Sequence, residues 1–356
     1  MAEKILMKGA EVLGESAIKA GCRLFFGYPI TPQNEAPAYM AKRLPEVGGT
    51  FVQAESEVAA INMLYGAAAS GHRVMTSSSS PGISLMQEGI SYIAGAELPV
   101  VLVNVMRGGP GLGNIGPAQG DYFQSTKPGG NGDYHLITLA PMNLQEQIDL
   151  IYDAFELADT YRNPAMVLTD GLLGQIMEAV EFHREKDLST LPKKPWAATG
   201  KDNRKKNLIS SFDLDYDRLE AINHRIQEKY RIIKEKEVKY ESYFADDAEI
   251  ILVAYGTTAR VCKAAVDSLR DEKIRVGLLR PITLWPYPEK ILHQLASKAS
   301  VKGFLVVELS AGQMLEDVKI SINGVKPIHF HGRMGGNVPS PKEIIDKIKS
   351  ISWEGR

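Results

Sequence analysis

The stretch Ala10-Glu-Val-Leu-Gly-Glu-Ser-Ala-Ile-Lys-Ala-Gly-Cys-Arg-Leu-Phe-Phe-Gly27 decides the fold. Ala10, Val12, Leu13, Ala17 and Ile18 share one face at helical spacing, and Arg23-Leu-Phe-Phe-Gly27 then reads as a short buried strand. That is one αβ unit. Working outward, apolar runs at residues 50–52, 73–76, 100–105 and 165–169 predict further strands, with helices predicted over 57–70, 83–94 and 144–159. These runs are continuously apolar instead of alternating, as strands covered on both faces must be. The expected class is therefore α/β, a doubly wound, mostly parallel sheet, with ligands gathering beyond the carboxyl ends of the strands.

The chain has 356 residues, enough for two domains. Residues 1–180 form the first. Over 181–247 the text turns charged, with Lys193-Lys194 and Lys205-Lys206, Pro192 and Pro195, and a helical stretch near 215–239, which predicts a partly helical connector or an arm on a partner. Over 248–356 the αβ alternation resumes as a second, smaller domain. With 41 basic against 43 acidic residues the net charge is −2, which argues against a nucleic-acid partner. Cys22 and Cys262 alone cannot build a disulfide framework or ligate zinc or an iron–sulfur cluster, and no metal ligands are assigned. No apolar run approaches the ~20 residues needed to span a bilayer, so a soluble, cytoplasmic protein with no membrane contact is expected.

Four segments at strand ends carry possible chemistry. In Tyr28-Pro29-Ile30-Thr31-Pro32-Gln33, Thr31 as a cap with Pro32 at the first helical position explains the residues structurally, while the two prolines could also aim a hydroxyl at a substrate. In Glu55-Ser56-Glu57, Ser56 reads as a helix cap with acids favoured by the dipole, or one glutamate as a carboxylate held against a cofactor. The small residues from Gly66 to Gly71 suggest that this helix packs closely on another element. Thr76-Ser77-Ser78-Ser79-Ser80-Pro81-Gly82 supplies a turn and helix start, or uncharged hydrogen-bonding groups for a pocket. Arg107 opens a loop rich in glycine. Gly111, Gly113 and Gly116 formally satisfy GxGxxG, but Pro110 and Pro117 flank them and no helix opens at Gly116, so the loop reads instead as a mobile lid with a carboxylate-gripping guanidinium, or Arg107 as a surface residue paired with a nearby acid.

Taken together and in order, these motifs resemble those of the α subunit of the 2-oxoacid:ferredoxin oxidoreductases. Tyr28-Pro-Ile-Thr-Pro32, Glu55-Ser-Glu57, Arg107 with its glycines, Gln119-Gly-Asp121 and Leu279-Arg-Pro-Ile-Thr-Leu-Trp-Pro-Tyr-Pro288 all take part, so nearly the whole chain is covered. The resemblance implies a thiamine-diphosphate pyrimidine-type domain followed by a transketolase-C-like domain. It implies that Thr31 and Arg107 contact a 2-oxoacid, that Glu57 meets the aminopyrimidine with Glu55 as the alternative, and that Tyr28, Pro29, Ser79 and Ser80 help to line the cofactor site. A carboxylate at ring nitrogen N1′ favours the imino tautomer that takes the proton from thiazolium C2.

No GDG segment followed by paired asparagines is present, so the resemblance implies a β subunit that holds the diphosphate and Mg2+, with the cofactor at the interface. It further implies γ and ferredoxin-like subunits, iron–sulfur clusters on partner chains, coenzyme A as co-substrate and ferredoxin as acceptor, in a hetero-oligomer. The implied activity is oxidative decarboxylation to acyl-CoA and CO2. The motifs look most like those of subunits for branched-chain 2-oxoacids such as 3-methyl-2-oxobutanoate, with 2-oxoglutarate as the alternative. Readings from other classes are a nucleotide-binding Rossmann module for NAD on the three glycines, or a non-catalytic scaffold.

Overall fold

A computed structural model describes residues 4–200 and 203–353. Its larger sheet has seven strands in the order Thr283–Trp285, Ile137–Leu139, Ala165–Asp170, Val101–Met106, Val74–Ser78, Leu24–Gly27, Thr50–Gln53. Six run parallel and the Thr283–Trp285 edge is antiparallel. The central strands Val74–Ser78, Val101–Met106 and Ala165–Asp170 are buried along their whole length, which is why they read as unbroken apolar or small-residue runs.

The opening stretch folds as expected: a helix over Gly9–Lys19, then the strand Leu24–Gly27. Ala10, Leu13, Ala17 and Ile18 pack with Phe25, Met40, Leu44, Val101, Val103 and Phe155 on one face of the sheet, beneath the helices Gly9–Lys19, Glu35–Glu46 and Leu144–Tyr161. Phe25 has no exposed surface, and burial of such a side chain is worth roughly 1.5–3 kcal/mol. On the opposite face lie the helices Glu57–Ala69 and Ser80–Gly95, and their core continues through Tyr122 and Tyr255 to Phe304 and Val306 of the second sheet and Met314 of the helix Met314–Ile322. One apolar cluster therefore joins the two sheets.

The second sheet orders Ile328–Gly332, Gly303–Glu308, Ile250–Val253, Val276–Pro281 and Tyr240–Tyr243, parallel except for the last. Two edge strands cross the expected divisions. Tyr240–Tyr243, within the charged connector, completes the second sheet, and Thr283–Trp285, from the second half, completes the first. The helix Tyr216–Lys236 buries Ile226, Tyr230 and Ile233 against the first domain's core. Arg280 fastens the crossing point: its guanidinium, 2% exposed, donates to both Glu146 oxygens at 2.9 and 2.7 Å and to Glu241 at 2.8 Å.

A further two-stranded sheet pairs Ile5–Lys8 with Met177–Val180, which the short, half-exposed runs do not signal. Gly66, expected to allow close helix packing, faces open space. Among the described residues no helix is long and apolar enough to cross a membrane. Cys22 and Cys262 are both buried and free, and they lie in separate cores.

Candidate active site

Leu24–Gly27 is followed by its neighbour Thr50–Gln53 on one side, and its other neighbour, Val74–Ser78, is followed by Val101–Met106 on the opposite side, so the crossovers from these two adjacent strands run in opposite directions. In doubly wound sheets the crevice at such a switch point, beyond the carboxyl ends, is where ligands bind. Residues 28–34 follow one strand, Ser79 and Ser80 follow its neighbour, and Arg107 follows Val101–Met106.

The expected cap at Thr31 with Pro32 opening a helix is corrected: the helix begins at Glu35, with Asn34 at the cap position. Buried Gln33 accepts a hydrogen bond from Ser77 Oγ at 2.6 Å and closes a turn through its N–H to Ile30 O, which delays the helix. Thr31 is left with an exposed hydroxyl that accepts from Asn34 Nδ2 at 3.3 Å. Arg107 is buried and donates from Nη1 to the Thr31 carbonyl at 2.9 Å and from Nη2 to the Leu112 carbonyl at 3.1 Å. The structure thus brings the two expected substrate contacts together.

Ser56 caps the helix Glu57–Ala69 by accepting from Ala59 N at 3.1 Å, as its sequence implied. Glu57, in the first turn, is 5% exposed, whereas Glu55 is an exposed residue outside the helix. Glu57 packs on Gly82: a Cβ there would lie 2.6 Å from Glu57 Oε1 and 2.0 Å from Ser78 Oγ. Ser78 and Ser79 keep buried hydroxyls without partners among the described residues. Ser80 Oγ accepts from the Arg107 N–H at 3.0 Å. Ser80 and Gly82, in the first turn of one helix, therefore link Arg107 to Glu57. Tyr28 is half-buried and Pro29 exposed, in the same loop as Thr31.

A cavity of about 610 Å³ opens beside Arg107 and Ser80 and is lined also by Leu309, Ser310 and Met334 of the second domain. Gln119 sets that junction. Its side chain donates to Tyr255 O at 2.8 Å and accepts from Leu309 N at 2.9 Å, while its own N–H donates to Leu309 O at 2.9 Å. Asp121, on the cavity wall, accepts from Asn104 Nδ2 at 2.9 Å. Burial raises its carboxyl above the ordinary range, with hydrogen bonds from Ser80 and Asn104 opposing the shift. Sequence reasoning missed the roles of Gly82, Gln33 and Asp121, although Pro81-Gly82 and Gln119-Gly-Asp121 stood inside the quoted motifs.

The glycine loop, expected as a lid, is held by hydrogen bonds at both of its ends in this structure. Asn114 Nδ2 donates to Gly335 O at 2.9 Å, its Oδ1 accepts from Gly116 N at 2.9 Å, and its N–H donates to Gly108 O at 2.9 Å. The loop is folded on itself and fastened to the second domain. A Cβ at Gly113 would lie 1.7 Å from Gly108 O, so this glycine serves the loop's own closure. No helix follows Gly116; the next begins at Tyr122. The NAD-binding reading therefore lacks its strand–turn–helix frame.

Comparison with known proteins agrees with this architecture. Residues 15–245 match the family model for pyruvate flavodoxin/ferredoxin oxidoreductase, thiamine diphosphate-binding, and residues 248–344 match pyruvate:ferredoxin oxidoreductase core domain II. The ketoisovalerate oxidoreductase subunit VorB of Methanothermobacter marburgensis is 52% identical over 98% of both chains. The 2-oxoglutarate synthase subunit KorA of Methanocaldococcus jannaschii is 35% identical over 95% of this chain and 97% of its own. Among solved structures, 2-oxoglutarate:ferredoxin oxidoreductase from Magnetococcus marinus superposes with a TM-score of 0.85 at 27% identity, covering 98% of this chain. This chain spans 65% of the length of that one. From the two matched models and the relatives alike, the chain belongs to the thiamine-diphosphate-dependent 2-oxoacid:ferredoxin oxidoreductase family.

Proposed function

We propose that this chain is the α-type subunit of a cytoplasmic hetero-oligomer that oxidises a branched-chain 2-oxoacid such as 3-methyl-2-oxobutanoate. The products are acyl-CoA and CO2, and an electron pair leaves through ferredoxin. The observation that carries the reading is the cavity at the carboxyl ends of the first sheet. Among the described residues Arg107 is the one cation on its wall, enough for the carboxylate that all 2-oxoacids share, while Leu85, Leu309 and Met334 give an apolar portion beside Asp121, Gln313 and three serines. A second carboxylate, as in 2-oxoglutarate, would find no cation there. The 52% identity to the VorB subunit supports the same choice.

The residues present fit one half of thiamine diphosphate. A buried carboxylate against a glycine that leaves it room, next to unpartnered hydroxyls of Ser78 and Ser79, is what a polar heterocycle at a protein interface requires. Bound there, the cofactor supplies the nucleophilic carbon and the electron sink that decarboxylation of a 2-oxoacid needs. Glu57 holds a proton at the ring nitrogen, and Glu55, exposed, takes no part. Ser79 and Ser80 supply hydrogen bonds without charge, and Tyr28 and Pro29 shape the loop that shields the ring. Arg107 holds the substrate carboxylate, with the Thr31 hydroxyl beside it to orient the 2-oxo group.

The diphosphate, Mg2+ and the iron–sulfur clusters belong to a β subunit and to γ and ferredoxin-like chains, since the two cysteines here sit apart in buried cores. Burial pushes the Cys22 thiol up to about 12. Coenzyme A joins as co-substrate. Co-purification of the complex, followed by viologen reduction with a panel of 2-oxoacids, tests the reading. Turnover is expected with 3-methyl-2-oxobutanoate and coenzyme A, and preference for 2-oxoglutarate would overturn the substrate assignment.

A further inference from the structure

We infer that the second domain selects the substrate's side chain, and that Met334 is the residue that does so. The inference rests on the substrate reading above. The cavity beside Arg107 is not confined to the thiamine-type domain: Leu309 and Met334 of the second domain line it together with Leu85 of the first. Among the described residues Arg107 and Asp121 are its only ionisable lining residues. With Arg107 committed to the shared carboxylate end, the other side chains are apolar (Leu85, Leu309, Met334), uncharged polar or, at Asp121, acidic, and none offers a second cation.

Met334 has the placement a selecting residue requires. It follows the edge strand Ile328–Gly332, and its carbonyl accepts from Asn337 Nδ2 at 3.1 Å. The next residue, Gly335, has φ +64°, and its carbonyl takes the hydrogen bond from Asn114 in the loop that begins with Arg107. Gly336, φ +89°, lies against Gly116 of that loop. The segment that carries Met334 and the segment that carries Arg107 are thereby fastened to each other, so the distance between the carboxylate grip and the side-chain wall is fixed. A thioether on three rotatable bonds fits branched aliphatic groups of different shape. It offers nothing to a second carboxylate, whose desolvation would go uncompensated.

Met334 is 60% exposed, so a cation placed there can extend without entering the core. The test measures kcat and KM for 3-methyl-2-oxobutanoate and 2-oxoglutarate in the reconstituted holoenzyme, comparing wild type, Met334→Leu and Met334→Lys. The expected result for Met334→Lys is a shift of at least about tenfold (1.4 kcal/mol) in the ratio of the two kcat/KM values toward 2-oxoglutarate. The shift should lie in KM, with kcat for the two acids changed alike, and Met334→Leu should keep the wild-type ratio. An unchanged ratio in Met334→Lys, in an enzyme whose wild type turns over 3-methyl-2-oxobutanoate, overturns the inference and leaves the function standing. A wild type that ignores 3-methyl-2-oxobutanoate refutes the substrate reading and the inference with it.

Discussion

Gly82→Ala separates the catalytic arrangement from the stability of the fold. The added methyl would sit 2.0 Å from Ser78 Oγ, 2.6 Å from Glu57 Oε1 and 2.9 Å from Glu57 Cγ, all closer than real contacts allow. Both neighbours are ends of rotatable side chains, so they move before the backbone does. Overpacking of this kind costs about 1–3 kcal/mol. Replacing glycine by alanine in a helix returns up to about 1 kcal/mol, which leaves a net loss of roughly 0–2 kcal/mol.

Function should suffer more, because the group displaced is the Glu57 carboxylate. A misplacement near 1 Å can cost on the order of 100-fold in rate. The expected outcome in the reconstituted enzyme is a fall of about that size in kcat/KM, with an unfolding midpoint only a few degrees lower. Gly66→Ala is the matched comparison: it lies in the neighbouring helix with nothing within 4 Å of its Cβ, and should gain up to about 1 kcal/mol. Full turnover by Gly82→Ala, together with a midpoint raised as in Gly66→Ala, would refute the reasoning.

Three further outcomes follow from the same geometry. Arg107→Lys keeps the charge but cannot reach both the Thr31 and Leu112 carbonyls in a fork, so kcat/KM for the 2-oxoacid should drop about 10- to 100-fold, the worth of a charged hydrogen bond; steady-state kinetics at saturating coenzyme A would read it. Arg280→Ala takes the cation from Glu146 and leaves Glu241 to Lys263 alone, and with both carboxylates partly exposed it should lower the chain's stability by about 1.5–3 kcal/mol in urea titration; a change below 1 kcal/mol would mean that the bridge is not holding the sheets together. Because burial raises the Asp121 carboxyl, its protonated form stabilises the fold at low pH and that contribution is lost as pH rises through the raised value. Asp121→Asn should therefore be more stable than wild type at neutral pH, with the gap closing below about pH 4, and melting curves across pH would reveal a constant gap if the reasoning fails.

The first sheet was legible because its strands are buried on both faces: Val101–Met106 and Ala165–Asp170 could be read from composition alone. Thr283–Trp285 and Tyr240–Tyr243 were not legible as they fold: the first pairs with a sheet remote from its sequence neighbours, the second lies inside a charged stretch, and short edge strands carry little periodic signal. At the site, Ser56 announced its cap, but Thr31 misled. Thr-Pro fits a helix start as well as it fits a turn, and the choice was made by Gln33 reaching Ser77, a contact 44 residues apart in the chain. Burial distinguishes Glu57 from Glu55 where spacing could not. The tethering of the glycine loop depends on Asn114 meeting Gly335, 221 residues away, which local sequence does not encode.

The proposed activity requires one carboxylate of this chain to touch the ring of a cofactor held from the other side by a partner. Paired substitution at the two glutamates tests it most directly: Glu57→Gln and Glu55→Gln, each assembled with the partner subunits and assayed for 2-oxoacid-dependent viologen reduction. Glu57→Gln should assemble normally and lose turnover while Glu55→Gln retains it. Undiminished turnover by Glu57→Gln would contradict the account.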